Sequence, residues 1–204
     1  MYNSLGIIGP GLIGASIAMS AHQKKLAKEI HLWARNEDKR NACLKNDWCD
    51  HAHESLESAV KNCDLIILCT PVDTIIPILK TIALHIKPNA IVTDVGSVKR
   101  NICTQAKNIT KDAAFHFIGS HPMAGSEKSG MEHASIELLK QATCIITPNK
   151  CTDKIILGEI TKFWSHLEMN PTYMSPEDHD SLIAKISHLP HLIASSLASS
   201  ISDI

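Results

Sequence analysis

Leu5-Gly6-Ile7-Ile8-Gly9-Pro10-Gly11-Leu12-Ile13-Gly14 is the stretch that decides the fold. An apolar run suited to a buried strand leads directly into Gly-x-Gly-x-x-Gly, and the segment that follows, Leu12–Lys24, is amphipathic. Each glycine has its own physical reason. The first permits a tight turn, the second lets a pyrophosphate approach the backbone, and the third lets helix and strand pack closely while the helix N-terminus faces the phosphates. Strand, turn and helix stand in the right order, so the stretch predicts dinucleotide binding, with Gly9, Gly11, Leu12, Ile13 and Gly14 as candidate cofactor contacts.

Outward from this turn, short runs rich in Ile, Val and Leu recur at Leu5–Gly9, Ile30–Trp33, Asp64–Thr70, Ala90–Val95, Phe115–Gly119 and Thr143–Thr147. Helix-like segments lie between most of them, at Leu12–Lys24, Glu37–Asn46, Asp73–His85, Lys99–Lys111 and Asp153–His166. That alternation predicts an α/β fold: a Rossmann-type, mostly parallel, doubly wound sheet over residues 1–170. After Asn170-Pro171 the texture changes. Ser175-Pro176-Glu177-Asp178 supplies an N-cap, a proline for the first helical turn and early acids. Leu182, Ile186, Leu189, Ile193, Leu197, Ile201 and Ile204 then follow at steps of three or four, widened by Ile183 and Leu192. Residues 171–204 are therefore expected to be built on one long helix, Pro176–Ile204, of about 29 residues, about 43 Å, bent at Pro190. Its apolar stripe is too wide to face water. It is expected to need a partner or to open a longer helical unit.

The 204 residues are 44% hydrophobic, enough for a full core. Lys+Arg number 20 against 21 Asp+Glu, a formal charge of -1. No strong field therefore favours nucleic acid or an anionic membrane. The start has no targeting pattern and no run long enough to span a bilayer, so a cytoplasmic location is expected. Seven cysteines without a Cys-x-x-Cys pair read as reduced thiols, with Cys69 and Cys144 as small core hydrophobes.

Several candidate site residues stand where strands end, which is where ligands bind in open α/β sheets. The run Leu32-Trp33-Ala34-Arg35 carries no carboxylate for the adenosine ribose. Arg35 instead offers a cation to a 2′-phosphate, so NADP is preferred over NAD as the expected cofactor. Thr70 and Pro71 would pass near the nicotinamide ribose. Ser97 follows Asp94-Val95-Gly96 and is expected to cap the helix from Lys99 and to reach substrate. Gly119-Ser120-His121-Pro122-Met123-Ala124-Gly125-Ser126-Glu127-Lys128-Ser129-Gly130 is poor core material and reads as an active-site loop. His121 can take a proton from a hydroxyl when hydride leaves the carbinol carbon. Ser126, Glu127 and Lys128 are further candidate substrate contacts. His188 and His191 share one helix face, but no third and fourth ligands accompany them, so no metal site is expected. His179, with Asp180, reads equally well as a surface or packing residue.

These motifs in this order resemble the prephenate/arogenate dehydrogenase family. The resemblance spans essentially the whole chain, from Gly-Pro-Gly-Leu-Ile-Gly through Asp-Val-Gly-Ser-Val-Lys and Ser-His-Pro-Met-Ala-Gly-Ser-Glu-Lys-Ser-Gly to His179-Asp180 and Ser187-His188-Leu189-Pro190-His191. It implies that His121 is the catalytic histidine on the ring hydroxyl, Ser97 its hydrogen-bonding partner, and His191 part of the substrate pocket. The implied reaction is an oxidative decarboxylation in tyrosine biosynthesis, of prephenate to 4-hydroxyphenylpyruvate or of arogenate to tyrosine. The resemblance also implies a homodimer through a helical domain that begins with the C-terminal helix. That domain supplies an arginine to the substrate carboxylate in the family, whereas no arginine follows Arg100 here. Lys128 or Lys185 is a candidate substitute as a point charge; otherwise the missing part of the domain lies outside this sequence or the chain is impaired in catalysis. Two alternatives are a β-hydroxyacid-type dehydrogenase with Lys185 as catalytic lysine, and a truncated, non-catalytic NADP-binding module.

Overall fold

The computed structural model describes residues 1–201. Six strands form a parallel sheet: β1 (Tyr2–Ile8), β2 (Ala27–Trp33), β3 (His51–His53), β4 (Leu65–Leu68), β5 (Ile91–Asp94) and β6 (His116–Phe117). Their spatial order is β3-β2-β1-β4-β5-β6, which is that of a Rossmann sheet. The central strands read as unbroken apolar runs because both faces are covered. Strand alternation sends Leu5, Ile7, Leu65 and Ile67 to one face, where Ile17, Phe163 and Trp164 meet them. Ile8, Ile66, Leu68 and Val92 face the other side, against Ile75 and Leu79. Each such side chain contributes about 1.5–3 kcal/mol on burial.

The connections are α1 (Leu12–Gln23), α2 (Glu37–Cys43), α3 (Leu56–Val60), α4 (Val72–Ile82) and α5 (Arg100–Thr110). A second sheet holds β7 (Gly119–Pro122), β8 (Thr143–Thr147) and β9 (Asn170–Tyr173), with α6 (Lys154–His166) between the last two. Strand β8 runs antiparallel to β7 and parallel to β9. Residue 118 therefore separates two sheets, where the sequence suggested one strand. His121 lies in β7, paired with Ile145, rather than in a loop. Strand β9 also runs across the boundary expected after residue 170.

The C-terminal segment is α7 (Pro176–Ile183), a π-helical turn (Ala184–His188) and α8 (Leu189–Ile201). The three abut without a non-helical residue, so the expected long helix is present from Pro176 to Ile201, interrupted by a π turn that the sequence reading did not foresee. Pro190 can offer no N–H to the turn before it, and the wider π turn sits just upstream. The expected end at Ile204 lies outside the described residues. Ile183 is buried, whereas Ile186, Leu189, Leu192, Ile193 and Leu197 are all more than half exposed. The described cysteines are free thiols, and burial pushes those of Cys43 and Cys63 up, to about 11 and about 12. No helix among the described residues is long and apolar enough to cross a membrane.

Candidate active site

The first glycine turn has the backbone that its sequence requires. Gly9 has φ +96°, and a Cβ there would stand 2.8 Å from Thr70 Cγ2. A Cβ on Gly14 would come to 2.5 Å from the carbonyl oxygen of Gly9, so helix α1 could not pack onto the turn. At Gly11 a Cβ would meet nothing within 4 Å and would project into open space. That space belongs to a cleft of about 360 Å³ lined by Gly9, Gly11, Trp33, Arg35, Thr70 and Pro71, among others. Leu12 and Ile13 begin α1, whose N-cap, Gly11, leaves the first-turn N–H groups without a side-chain acceptor. Thr70 Oγ1 is buried with no partner among the described residues. A free turn, a helix N-terminus and an unpaired hydroxyl fit a phosphate-bearing dinucleotide.

Strand β5 ends on a buried ion pair. Asp94 and Lys99 are both fully buried, and the Lys99 ammonium is bonded to Asp94 Oδ2. The same oxygen accepts the Gly96 N–H at 2.9 Å. Beyond it, α5 begins at Arg100, and Ser97 does not cap it: the N-cap is Lys99, with no side-chain bond of its own. The acceptor is distant in sequence. Asp180 Oδ1 accepts from the Lys99 N–H at 2.7 Å, and Oδ2 from the Arg100 N–H at 3.0 Å. A full carboxylate satisfies two orphan donors better than one hydroxyl, and it also suits the positive end of the helix. Ser97 is left exposed.

Asp180 also sets the state of two histidines. Its Oδ1 lies 2.7 Å from His179 Nδ1, and His179 Nε2 lies 2.8 Å from His121 Nδ1. A carboxylate only accepts, so His179 Nδ1 carries the hydrogen and its Nε2 is bare. His121 Nδ1 must then donate to it, which leaves a lone pair on His121 Nε2. His179, which the sequence left open as surface or packing, is fully buried in this chain. Strand alternation holds His121 in place: its neighbour Ser120 points the other way, bonded to Thr93 at 2.9 Å and to Trp164 at 3.0 Å.

Electrostatics keep His121 neutral. Burial, then His179, Lys99 and His188, push His121 down to about 3, against a smaller opposing pull from Asp180. Burial raises Asp180, but the His179 bond and the two backbone donors outweigh it and hold the carboxyl below its usual range. A pH dependence of stability follows. The unfolded chain takes up a proton at His121 below about pH 6.5, while the folded one resists it down to about 3. The contribution is therefore complete above pH 6.5 and is lost as pH falls toward 3. Urea unfolding at pH 7.5 and pH 5 is expected to show His121→Asn losing about 1–2 kcal/mol less than wild type over that step. Equal losses in the two proteins would contradict this assignment.

An open cleft of about 900 Å³ brings together Ser97, His188 and His191 with Ser187, Leu192 and Ser195. His188 is also close enough to act on the charge of His121. The predicted residues Ser126, Glu127 and Lys128 are exposed on the segment after β7, outside the linings of both clefts. Lys185 is likewise exposed and outside them. Sequence reasoning missed Lys99 as a buried ion-pair member and Asp180 as a cap. The signal at hand was only the spacing Asp-x-x-x-x-Lys at a strand end.

Comparison with known proteins gives the family. Residues 17–170 match the family model of the prephenate dehydrogenase nucleotide-binding domain, and residues 175–203 match that of the prephenate dehydrogenase dimerization domain. The chain belongs to the prephenate dehydrogenase family. Its nucleotide-binding domain is of the NAD(P) type, in keeping with the glycine turn. Prephenate dehydrogenase of Bacillus subtilis is 34% identical over 97% of this chain and 53% of its own length. Cyclohexadienyl dehydrogenase of Zymomonas mobilis is 30% identical over 99% of this chain and 68% of its own length. Among solved structures, prephenate dehydrogenase from Aquifex aeolicus in complex with hydroxyphenyl propionate and NAD+ superposes with TM-score 0.91 at 32% identity, covering 100% of this chain and 70% of that one. Synechocystis arogenate dehydrogenase gives TM-score 0.86 at 31% identity, over 97% of this chain and 68% of that one. The chain thus spans about half the length of its Bacillus relative.

Proposed function

We propose that this chain is the cofactor- and substrate-binding part of an oxidoreductase that oxidatively decarboxylates prephenate to 4-hydroxyphenylpyruvate, or arogenate to tyrosine. The observation that carries this reading is the Asp180–His179–His121 chain, which leaves a lone pair on His121 Nε2. The names of the Bacillus, Aquifex and Synechocystis relatives support it. A bound nicotinamide dinucleotide supplies the hydride acceptor. His121 Nε2 takes the proton of the ring hydroxyl as that oxygen becomes a carbonyl, and Ser97 orients the hydroxyl. His188 and His191 line the pocket, whereas Ser126, Glu127 and Lys128 lie outside both clefts and are given no substrate contact. Lys185 and Lys128 stand outside the clefts, so neither is placed to hold the ring carboxylate there. Exposure of Lys185 also disfavours the β-hydroxyacid-type alternative.

The cofactor reading is NADP in preference to NAD. Strand β2 ends without a carboxylate, and Arg35 and Lys39 both line the cleft beside it. Arg35→Ala is expected to weaken NADP+ by about 1.5–3 kcal/mol, the size of one charge-assisted contact, and to leave NAD+ nearly unchanged. Titration of both cofactors into both proteins checks it, and equal wild-type affinities would remove the proposal. In this reading residues 1–170 form the dinucleotide-binding domain and 171–204 the start of a helical domain. The exposed stripe of Leu189, Leu192, Ile193 and Leu197 packs across a symmetric partner, in keeping with the dimerization match. The protein works in the cytoplasm, without nucleic acid or membrane. Reduction of NAD+ and NADP+ with prephenate and arogenate, compared side by side, tests the activity. Cofactor binding without turnover of either acid would favour the non-catalytic module.

A further inference from the structure

The far edge of the large sheet carries a histidine cluster that no step above uses. Strand β3 lies parallel to β2 with His31 opposite His51 and Trp33 opposite His53. Side chains two apart share a face, so the pairing gathers Glu29 and His31 from β2 with His51 and His53 from β3. The imidazoles are close: ring centroids of His31 and His51 are 4.7 Å apart, and those of His31 and His53 are 5.2 Å apart and nearly parallel at 17°. We propose that Glu29, His31 and His51 form a binding site for a divalent transition-metal ion, zinc by preference, with His53 as the residue that orients His31.

The donor geometry carries this assignment. One ligand atom from each of Glu29, His31 and His51 lies within 4.8 Å of the others. His31 Nε2 is 3.4 Å from Glu29 Oε2. Two ligands at about 2.0–2.1 Å from a tetrahedral zinc stand about 3.4 Å apart, so this pair is already at coordination spacing. The other nitrogen of His31, Nδ1, lies 2.9 Å from His53 Nε2. A ligating histidine characteristically uses its second ring nitrogen in such a bond, which fixes ring orientation and directs the lone pair at the metal. Two imidazoles and a carboxylate form a donor set that zinc takes with water in the fourth position.

The location suggests what binding does. Trp33, two residues beyond His31, lines the dinucleotide cleft, and its Nε1 donates to the Glu54 carbonyl at 3.0 Å, just after β3. An ion joining β2 to β3 ties a three-residue edge strand to the wall of that cleft. It stabilises the folded chain by mass action without touching His121.

Titration calorimetry with Zn2+ alone, with thermal melts in parallel, tests the site on the full chain. Wild type is expected to bind one ion here and to melt at a higher temperature with it. Glu29 and His51 are exposed, so Glu29→Gln and His51→Ala are expected to fold normally and to lose this ion. His53→Ala is expected to weaken it about 10–100-fold. Cys151→Ser and His191→Ala are expected to keep it, and Co2+ in its place is expected to show no sulfur-to-metal charge-transfer band. Zinc binding unchanged in His51→Ala, or no binding to wild type, would overturn the proposal.

Discussion

His121→Asn is expected to lower prephenate- or arogenate-dependent cofactor reduction by about 10²–10⁴, with cofactor affinity unchanged. Asparagine at this position can still donate to His179 Nε2, so the packing between β7 and α7 survives. It lacks the second nitrogen, and with it the lone pair that the Asp180–His179 chain leaves available. The loss should fall on turnover at saturating substrate, because in the proposed reaction the hydroxyl proton moves only as the carbonyl forms. Steady-state kinetics beside a cofactor titration separates the two effects. A variant with near wild-type turnover would remove His121 from the chemistry, and one that no longer bound cofactor would show a structural role instead.

Lys99→Met is expected to cost about 3–5 kcal/mol of stability, the penalty for a buried charge stripped of its partner. Asp94 and Lys99 are both fully buried, and Asp94 Oδ1 has no partner among the described residues. Without the ammonium, Asp94 retains only the Gly96 N–H as a donor. The double variant Asp94→Leu with Lys99→Met is expected to recover much of the loss, since two apolar side chains replace two desolvated charges. Urea unfolding of the single and double variants measures the coupling. A single-variant loss below about 1 kcal/mol would mean that water or a rearranged chain reaches Asp94. The pair also matters to the site, because the Lys99 charge is one of the forces that keep His121 neutral.

Local chemistry made most of the fold legible. The β1 turn could be read because each glycine answers a local demand, at Gly9 a positive φ and at Gly14 a close approach. The apolar runs of β1, β4 and β5 were readable because a strand covered on both faces needs no polar alternation. Strand β3 was not. His51-Ala52-His53 has no apolar signature, and it is a strand only because β2 supplies its ladder. The division between β6 and β7 was hidden for a similar reason, since one continuous apolar stretch pairs with two different sheets.

At the site, the sequence alone singled out the candidates: the glycine turn, Arg35 in place of an acid, Ser97 after a strand, His121, and the His188–His191 pair. Tertiary structure decided how they work together. His121 meets His179 across 58 residues, and Asp180 caps α5 across 81. No local pattern encodes bonds of that separation, because they form only when α7 docks beside β7 and α5. Hence the capping role expected of Ser97 fell to Asp180, and His179 became the acceptor that fixes the tautomer of His121. Spacing along a chain reports what one element can do by itself; which nitrogen is left bare depends on the element that folds against it.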